Sequence, residues 1–304
     1  MKNTGARIAS AALLLLCANA RAQTRAISLA YQVTHTDHAS PSISPDGKKM
    51  VYAAIIADKE QLFTMNLDGS ESVQITHDSV NHNNPVWSPD GRKIVYSLED
   101  GKGETIYTMN ATGGGEERIT PDDQQKYIHP GWSPDGTKII YCSTDDLHPP
   151  QKNRSDIYSI DLKSREVTML VTGGTNTYAS WSPDAKKIAF RKIIGSEMNS
   201  EVFVANADGT DQRNLSNNPA FDGWPAWSPD GAQIAFASNR NGNYQIFLMN
   251  ADGSNVRPLA RTEGRATEPR WAPDGKIVYF TNCYDVAWGT DCEVFAAAAN
   301  PAKP

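Results

Sequence analysis

Short apolar runs recur along this chain, each closed off by polar turn residues. Ile94-Val95-Tyr96 and Ile234-Ala235-Phe236 are such runs, as are Ile106-Tyr107-Thr108-Met109 and Ile246-Phe247-Leu248-Met249. Runs this short, alternating or continuous and rich in β-branched and aromatic residues, predict strands packed between neighbouring sheets. The runs belong to one repeated unit. A first strand ends in Trp-Ser, as in Pro85-Val86-Trp87-Ser88, and Ser-Pro-Asp-Gly turns the chain. Pro suits the early position of such a turn and Gly its left-handed end. A second strand, a polar loop and a third strand follow. A second turn (Asn66-Leu67-Asp68-Gly69, Asn206-Ala207-Asp208-Gly209, Asn250-Ala251-Asp252-Gly253) leads to a short outer strand ending in Ile75-Thr76, Ile119-Thr120 or Leu215-Ser216.

The unit occurs six times. Its first turns begin at Ser44, Ser88, Ser133, Ser182, Ser228 and Ala272, in steps of 44, 45, 49, 46 and 44 residues. Trp87, Trp132, Trp181, Trp227 and Trp271 precede five of them and Ile43 the first. A period in the forties with four strands per unit predicts an all-β fold, a six-bladed β-propeller. One blade cannot bury its faces alone, so the ring is the folding domain. Ala185 stands where the other copies have the turn glycine, at an expected cost of about 1–2 kcal/mol if the left-handed geometry is kept. The last copy has strands around Trp271, 277–281 and 293–297 but no fourth. A surplus strand at 26–34 precedes the first copy, and its Val33-Thr34-His35 matches Ile75-Thr76-His77. The N-terminal strand is therefore expected to complete the last blade and hide its edge.

The Trp-Ser-Pro-Asp-Gly repeats resemble those of the TolB-like (PD40) propeller proteins, and the resemblance covers the whole chain after its first 22 residues. It implies a periplasmic platform that binds peptide segments and lipoproteins of the cell envelope. TolB proteins carry an α/β domain ahead of the propeller. About 20 residues separate position 22 from the first motif here, so the expectation is TolB-like rather than TolB itself.

Lys2 and Arg7, the apolar stretch from Ile8 to Cys17, and Ala20-Arg21-Ala22 read as a secretory signal peptide over residues 1–22. The propeller then occupies 23–304, or 47 residues per blade. The Cys17 context, with Leu16 before it, does not fit a lipid anchor. No apolar stretch reaches membrane length. Removing Lys2, Arg7 and Arg21 moves the formal charge from -6 to -9, which argues against nucleic acid and anionic membranes as partners. A monomer is expected, periplasmic or secreted. Cys283 and Cys292 bracket one loop between antiparallel strands and are expected to form a disulfide there. Cys142, within Ile139-Ile140-Tyr141-Cys142, is expected to be a buried free thiol.

Both tight turns fall on one face of the disc, and the longer loops share the other with the segments entering each innermost strand. All six histidines, His35, His38, His77, His82, His129 and His148, fall on that loop face. Counting back three residues from each Trp, or from Ile43, gives Ser40, Asn84, His129, Tyr178, Trp224 and Glu268. Counting back five gives His38, His82, Tyr127, Asn176, Asp222 and Ala266. Both sets are expected to ring the channel mouth, with His38, His82, Asn84, Tyr127, His129, Tyr178, Asp222, Trp224 and Glu268 as candidate binding residues.

Three ligand classes fit that mixture. The leading one is an envelope protein or peptide segment held by aromatic and hydrogen-bonding side chains. A carbohydrate stacked on Tyr127, Tyr178 or Trp224 is the second. The third is a divalent metal on His82 and His129, which resembles the central metal site of oligogalacturonide lyases and implies a metal-dependent carbohydrate-active enzyme. Outside that alternative no cofactor is expected. Asp46, Asp90, Asp135 and Asp230 read as turn caps rather than calcium ligands. The sequence holds no Gly-x-Ser-x-Gly elbow, His-Glu-x-x-His or P-loop.

Overall fold

A computed structural model describes residues 28–34, 38–101, 103–121, 125–144, 154–195, 199–286 and 289–300. The predicted signal segment, His35 and His148 lie outside these residues. The described residues hold six four-stranded antiparallel sheets, the six blades expected. Their innermost strands are His38–Ile43, Asn81–Trp87, Lys126–Trp132, Asn176–Trp181, Asp222–Trp227 and Arg265–Trp271. Six apolar clusters fill the blade junctions, one at each. Tyr52, Tyr96, Tyr141, Phe190, Phe236 and Phe280, one per blade on the second strands, are fully buried. This is the burial a ring of mutually covering sheets provides.

The first turns are held alike. In blade one, Gly47 N–H donates to Ser44 O at 2.8 Å, Lys48 N–H to Asp46 Oδ1 at 3.1 Å, and Lys49 N–H to Ser44 Oγ at 2.9 Å. Ser44 Oγ donates to Asp46 Oδ1 at 2.7 Å. These bonds to the ionised form hold the Asp46 carboxyl below its ordinary value, the serine hydroxyl contributing most. Asp90, Asp135 and Asp230 do the same, so all four are caps, as expected. Ala185 keeps the turn at φ 57°, beside glycines at 69–72° in the other five copies.

Blade six is completed from the N-terminus. Tyr31 and Gln32 pair antiparallel with Ala296 and Phe295. Val33 N–H donates to Val294 O at 2.7 Å, and Val294 N–H donates to Thr34 Oγ1 at 2.9 Å. Blade one uses the same two bonds, Ile75 N–H to Leu62 O and Leu62 N–H to Thr76 Oγ1. Thr34 Oγ1 also donates to the buried Glu293 carboxylate. Upstream, Ser28–Leu29 adds a parallel pair with Ala260–Arg261 of blade five. Cys283 and Cys292 face each other across the hairpin of Ile277–Val286 and Gly289–Ala298 and are disulfide-bonded. Cys142 is free and buried, and burial pushes its thiol up to about 12.

Candidate functional site

Each innermost strand carries a β-bulge at one equivalent place. In blade two, Asn83 pairs with Ser97 and Val86 with Val95, so three steps on one strand match two on the other. The same shift occurs in the other five blades. The extra residue is the one three before the tryptophan, and in every blade it has a left-handed backbone. Ser40, Asn84, His129, Tyr178, Trp224 and Glu268 have φ of 55, 50, 54, 55, 51 and 53°. None is glycine. Six non-glycine residues in this sparsely populated region, at about 1–3 kcal/mol each, mark a ring that the surrounding sheets impose.

These six residues form a waist across the channel. The His129 and Tyr178 rings stack with centroids 3.7 Å apart, and Trp224 leans on Tyr178 at 5.3 Å. Opposite them, Ser40 Oγ donates to Glu268 Oε2 at 2.8 Å. Asn84, His129 and Tyr178 line a chamber above the waist and another below it. The loop-side chamber, about 370 Å³, is further walled by Asn83, Ile128, Thr177, Glu104, Arg154 and Arg191. The turn-side chamber, about 290 Å³, is walled by Trp132, Trp181, Trp227, Trp271, Trp224 and Arg270. Burial in the ring, with Arg191 and Arg270 nearby, pushes His129 down to about 3, so its imidazole is neutral at physiological pH. Burial pushes the Tyr178 phenol up, with Glu268 adding to the effect.

Of the residues five before the tryptophan, His82, Tyr127, Asn176 and Asp222 line neither chamber. His82 is fully buried, its Nε2 2.8 Å from Asp78 Oδ1 and its ring 5.3 Å from Tyr96. Tyr127 packs edge-on against Tyr141. Asn176 donates to Ser155 O and Gly173 O. Asp222 accepts both oxygens' bonds from Arg240 Nη2, at 2.9 Å each. The bulge explains the difference. Side chains alternate along a regular strand, but one inserted residue reverses the parity. The residues four before the tryptophan, Asn83, Ile128 and Thr177, face the loop-side chamber instead. His38 begins the innermost strand of blade one, and its side chain lies outside the described residues.

His82 and His129 are thus divided between a blade interior and the channel. Among the described residues no group of three His, Cys, Asp or Glu side chains is placed to hold a metal ion. Counting from the tryptophans passed over Arg191 and Arg270. Arg270 was legible as a charge immediately before Trp271, where the other copies have Ser42, Val86, Gly131, Ser180 and Ala226. Arg191, at the loop end of a second strand, carried no comparable signal. Its guanidinium lies 4.6 Å from the Phe221 ring centroid. No helix among the described residues is long and apolar enough to cross a membrane.

The chain is similar to Tol-Pal system protein TolB of Alcanivorax borkumensis, with 30% identity over 78 residues, 26% of this chain and 18% of that protein's length. Among solved structures, a protein of Agrobacterium tumefaciens assigned to TolB superposes with a TM-score of 0.69 and 24% identity, over 88% of this chain and 96% of that one. An oligogalacturonate lyase of Vibrio parahaemolyticus superposes with a TM-score of 0.60 and 15% identity, over 88% and 93% of the two chains. At these identities the superpositions show a common fold. The sequence model of the TolB beta propeller domain matches residues 20–149 and 150–288. With nearly all of the repeat region matched, the chain belongs to the TolB beta propeller domain (PD40) family.

Proposed function

We propose that this protein is a periplasmic or secreted binding module that engages a protein or peptide segment of the cell envelope, as a monomer, through the loop-side chamber of its channel. The observation that carries this reading is the left-handed ring. Of its six left-handed residues, Asn84, His129 and Tyr178 line that chamber, beside the amide and hydroxyl of Asn83 and Thr177. Amides and hydroxyls match peptide backbone, and aromatic groups supply the anchoring area. The similarity to a Tol-Pal system protein supports an envelope partner. His82, Tyr127, Asn176 and Asp222 serve as scaffold in this reading, holding the strands that carry the ring.

The similarity of fold to an oligogalacturonate lyase keeps one alternative in view, a metal-dependent carbohydrate-active enzyme. One experiment separates the two. Wild-type, Tyr178→Ala and Asn83→Ala proteins are used to capture partners from an envelope extract, with and without chelator, and metal is measured in the purified wild type. The binding reading expects chelator-insensitive capture, weakened in both variants and by about 2 kcal/mol or more in Tyr178→Ala. Stoichiometric metal, with capture or lyase activity lost on chelation, would replace it by the enzyme reading. Full capture by both variants would refute the loop-side chamber as the site.

A further inference from the structure

The turn-side chamber holds a group that the loop-side reading does not use. Of the six residues immediately before the tryptophans or Ile43, five are small or apolar and one is Arg270. Arg270 lines this chamber among the indoles of Trp132, Trp181, Trp227 and Trp271. A guanidinium has five N–H donors. Arg270 donates one hydrogen bond, Nη1 to Pro269 O at 3.0 Å, and no Asp or Glu lies within ion-pair distance of it among the described residues. The Glu268 carboxylate acts on Arg270 through space, but the donors its Oε2 accepts from are Ser40 Oγ at 2.8 Å and Thr281 Oγ1 at 3.4 Å, not the guanidinium. The turn-side chamber thus presents a guanidinium with open donors inside a protein whose formal net charge is -6.

A ringed cation with unspent donors attracts an anion, and a planar fork favours a carboxylate, which it binds through two parallel hydrogen bonds. The His129–Tyr178 stack and the Ser40–Glu268 bond narrow the chamber's inner end. A pocket of about 290 Å³ bounded by that waist has the size for a chain end. Aromatic walls suit an apolar terminal side chain.

We propose that the turn-side chamber is a carboxylate-binding site that receives the free C-terminal end of a peptide, with Arg270 holding the carboxylate and the tryptophan indoles flanking the last side chain. The site lies on the opposite side of the waist from the loop-side chamber and stands whether or not a partner engages there.

The test uses the full chain and its tryptophan fluorescence, since indoles wall the chamber. The probes are N-acetyl-Gly-Gly-Phe with a free carboxylate, the same peptide as its amide, and galacturonate. The free acid is expected to quench saturably, with a Kd about tenfold or more below that of the amide. Arg270→Gln should remove that preference. Arg270→Lys, a point charge without the fork, should keep only part of it. Arg213→Gln, the same charge change on an exposed outer strand, should leave it intact. Equal binding of acid and amide to the wild type would overturn the proposal, and that comparison holds even if Arg270→Gln fails to fold. So would an Arg270→Gln protein that melts like the wild type and still prefers the acid. Tighter binding of galacturonate than of the peptide acid would assign the chamber to an acidic sugar and overturn the peptide end.

Discussion

Thr34→Val tests the closure of the ring at a single oxygen. Valine has nearly the shape of threonine, so packing beside the buried Val33 is kept. Two hydrogen bonds are lost. The Val294 amide loses its acceptor, at 2.9 Å in the native protein, and the buried Glu293 carboxylate loses a hydroxyl donor. An unsatisfied buried amide costs about 1–3 kcal/mol, and a hydrogen bond to a charged group contributes about 1.5–3. Water entering at the blade edge offsets part of this, which leaves about 3 kcal/mol. For a large domain each kcal/mol lowers Tm by about 2–4 °C, so a fall of ~6–12 °C is expected. Calorimetry of wild type, Thr34→Val and Thr34→Ser measures it, and amide exchange at Val294 locates it. Thr34→Ser retains the oxygen and should melt close to the wild type. If Thr34→Val melts with the wild type, or Thr34→Ser falls as far as Thr34→Val, the hydroxyl does not hold the seam and the reasoning fails.

Two further predictions rest on single residues. Burial, and then the neighbouring Glu99, raise the Glu104 carboxyl from 4.5 to about 7, so stability should fall as pH rises between these values. Above that window Glu104→Gln should be more stable than the wild type by ~1–3 kcal/mol, and at about pH 4 indistinguishable from it; urea titration at both pH values measures the difference. Ala185 sits at φ 57° in a turn that is glycine elsewhere. Ala185→Gly relieves about 1–2 kcal/mol of left-handed strain and loses about 0.4–1 through the freer unfolded chain, so a net gain of ~0.5–1 kcal/mol is expected in the same titration. A loss of stability would contradict the strain.

What could be read from the sequence follows from what repeats. Six copies of one turn located every innermost strand, and the likeness of Val33-Thr34 to Ile75-Thr76 located the closing strand, because equivalent blades make equivalent bonds. The facing cysteines followed from antiparallel strands around one loop. Counting back three from the tryptophans found the waist. Counting back five failed because it assumed an unbroken alternation, and a bulge leaves no mark in composition when its left-handed residue is Asn, His, Tyr, Trp, Ser or Glu rather than glycine. His82 and Asp222 are accordingly interior groups with partners of their own, Asp78 and Arg240. Arg270 was visible as an exception to its column, but its lack of an ion-pair partner among the described residues is a property of three dimensions.

The seam in blade six has a kinetic consequence. Thr34 and Glu293 are 259 residues apart, and joining chain segments that distant costs about 5 kcal/mol of loop entropy by the logarithmic law. Neighbouring blades form from local hairpins, whereas this junction waits for both ends of the chain. During synthesis, five sheets have all their strands before Gly289–Ala298, the strand that receives Tyr31–Gln32, is made. Until then the first segment is an unpaired edge in search of a neighbour, the kind of surface that captures a strand from another molecule. The Cys283–Cys292 bond staples the receiving hairpin in register. An oxidised chain therefore offers the waiting Tyr31–Gln32 segment a finished template, and a reduced one leaves the ring open for longer.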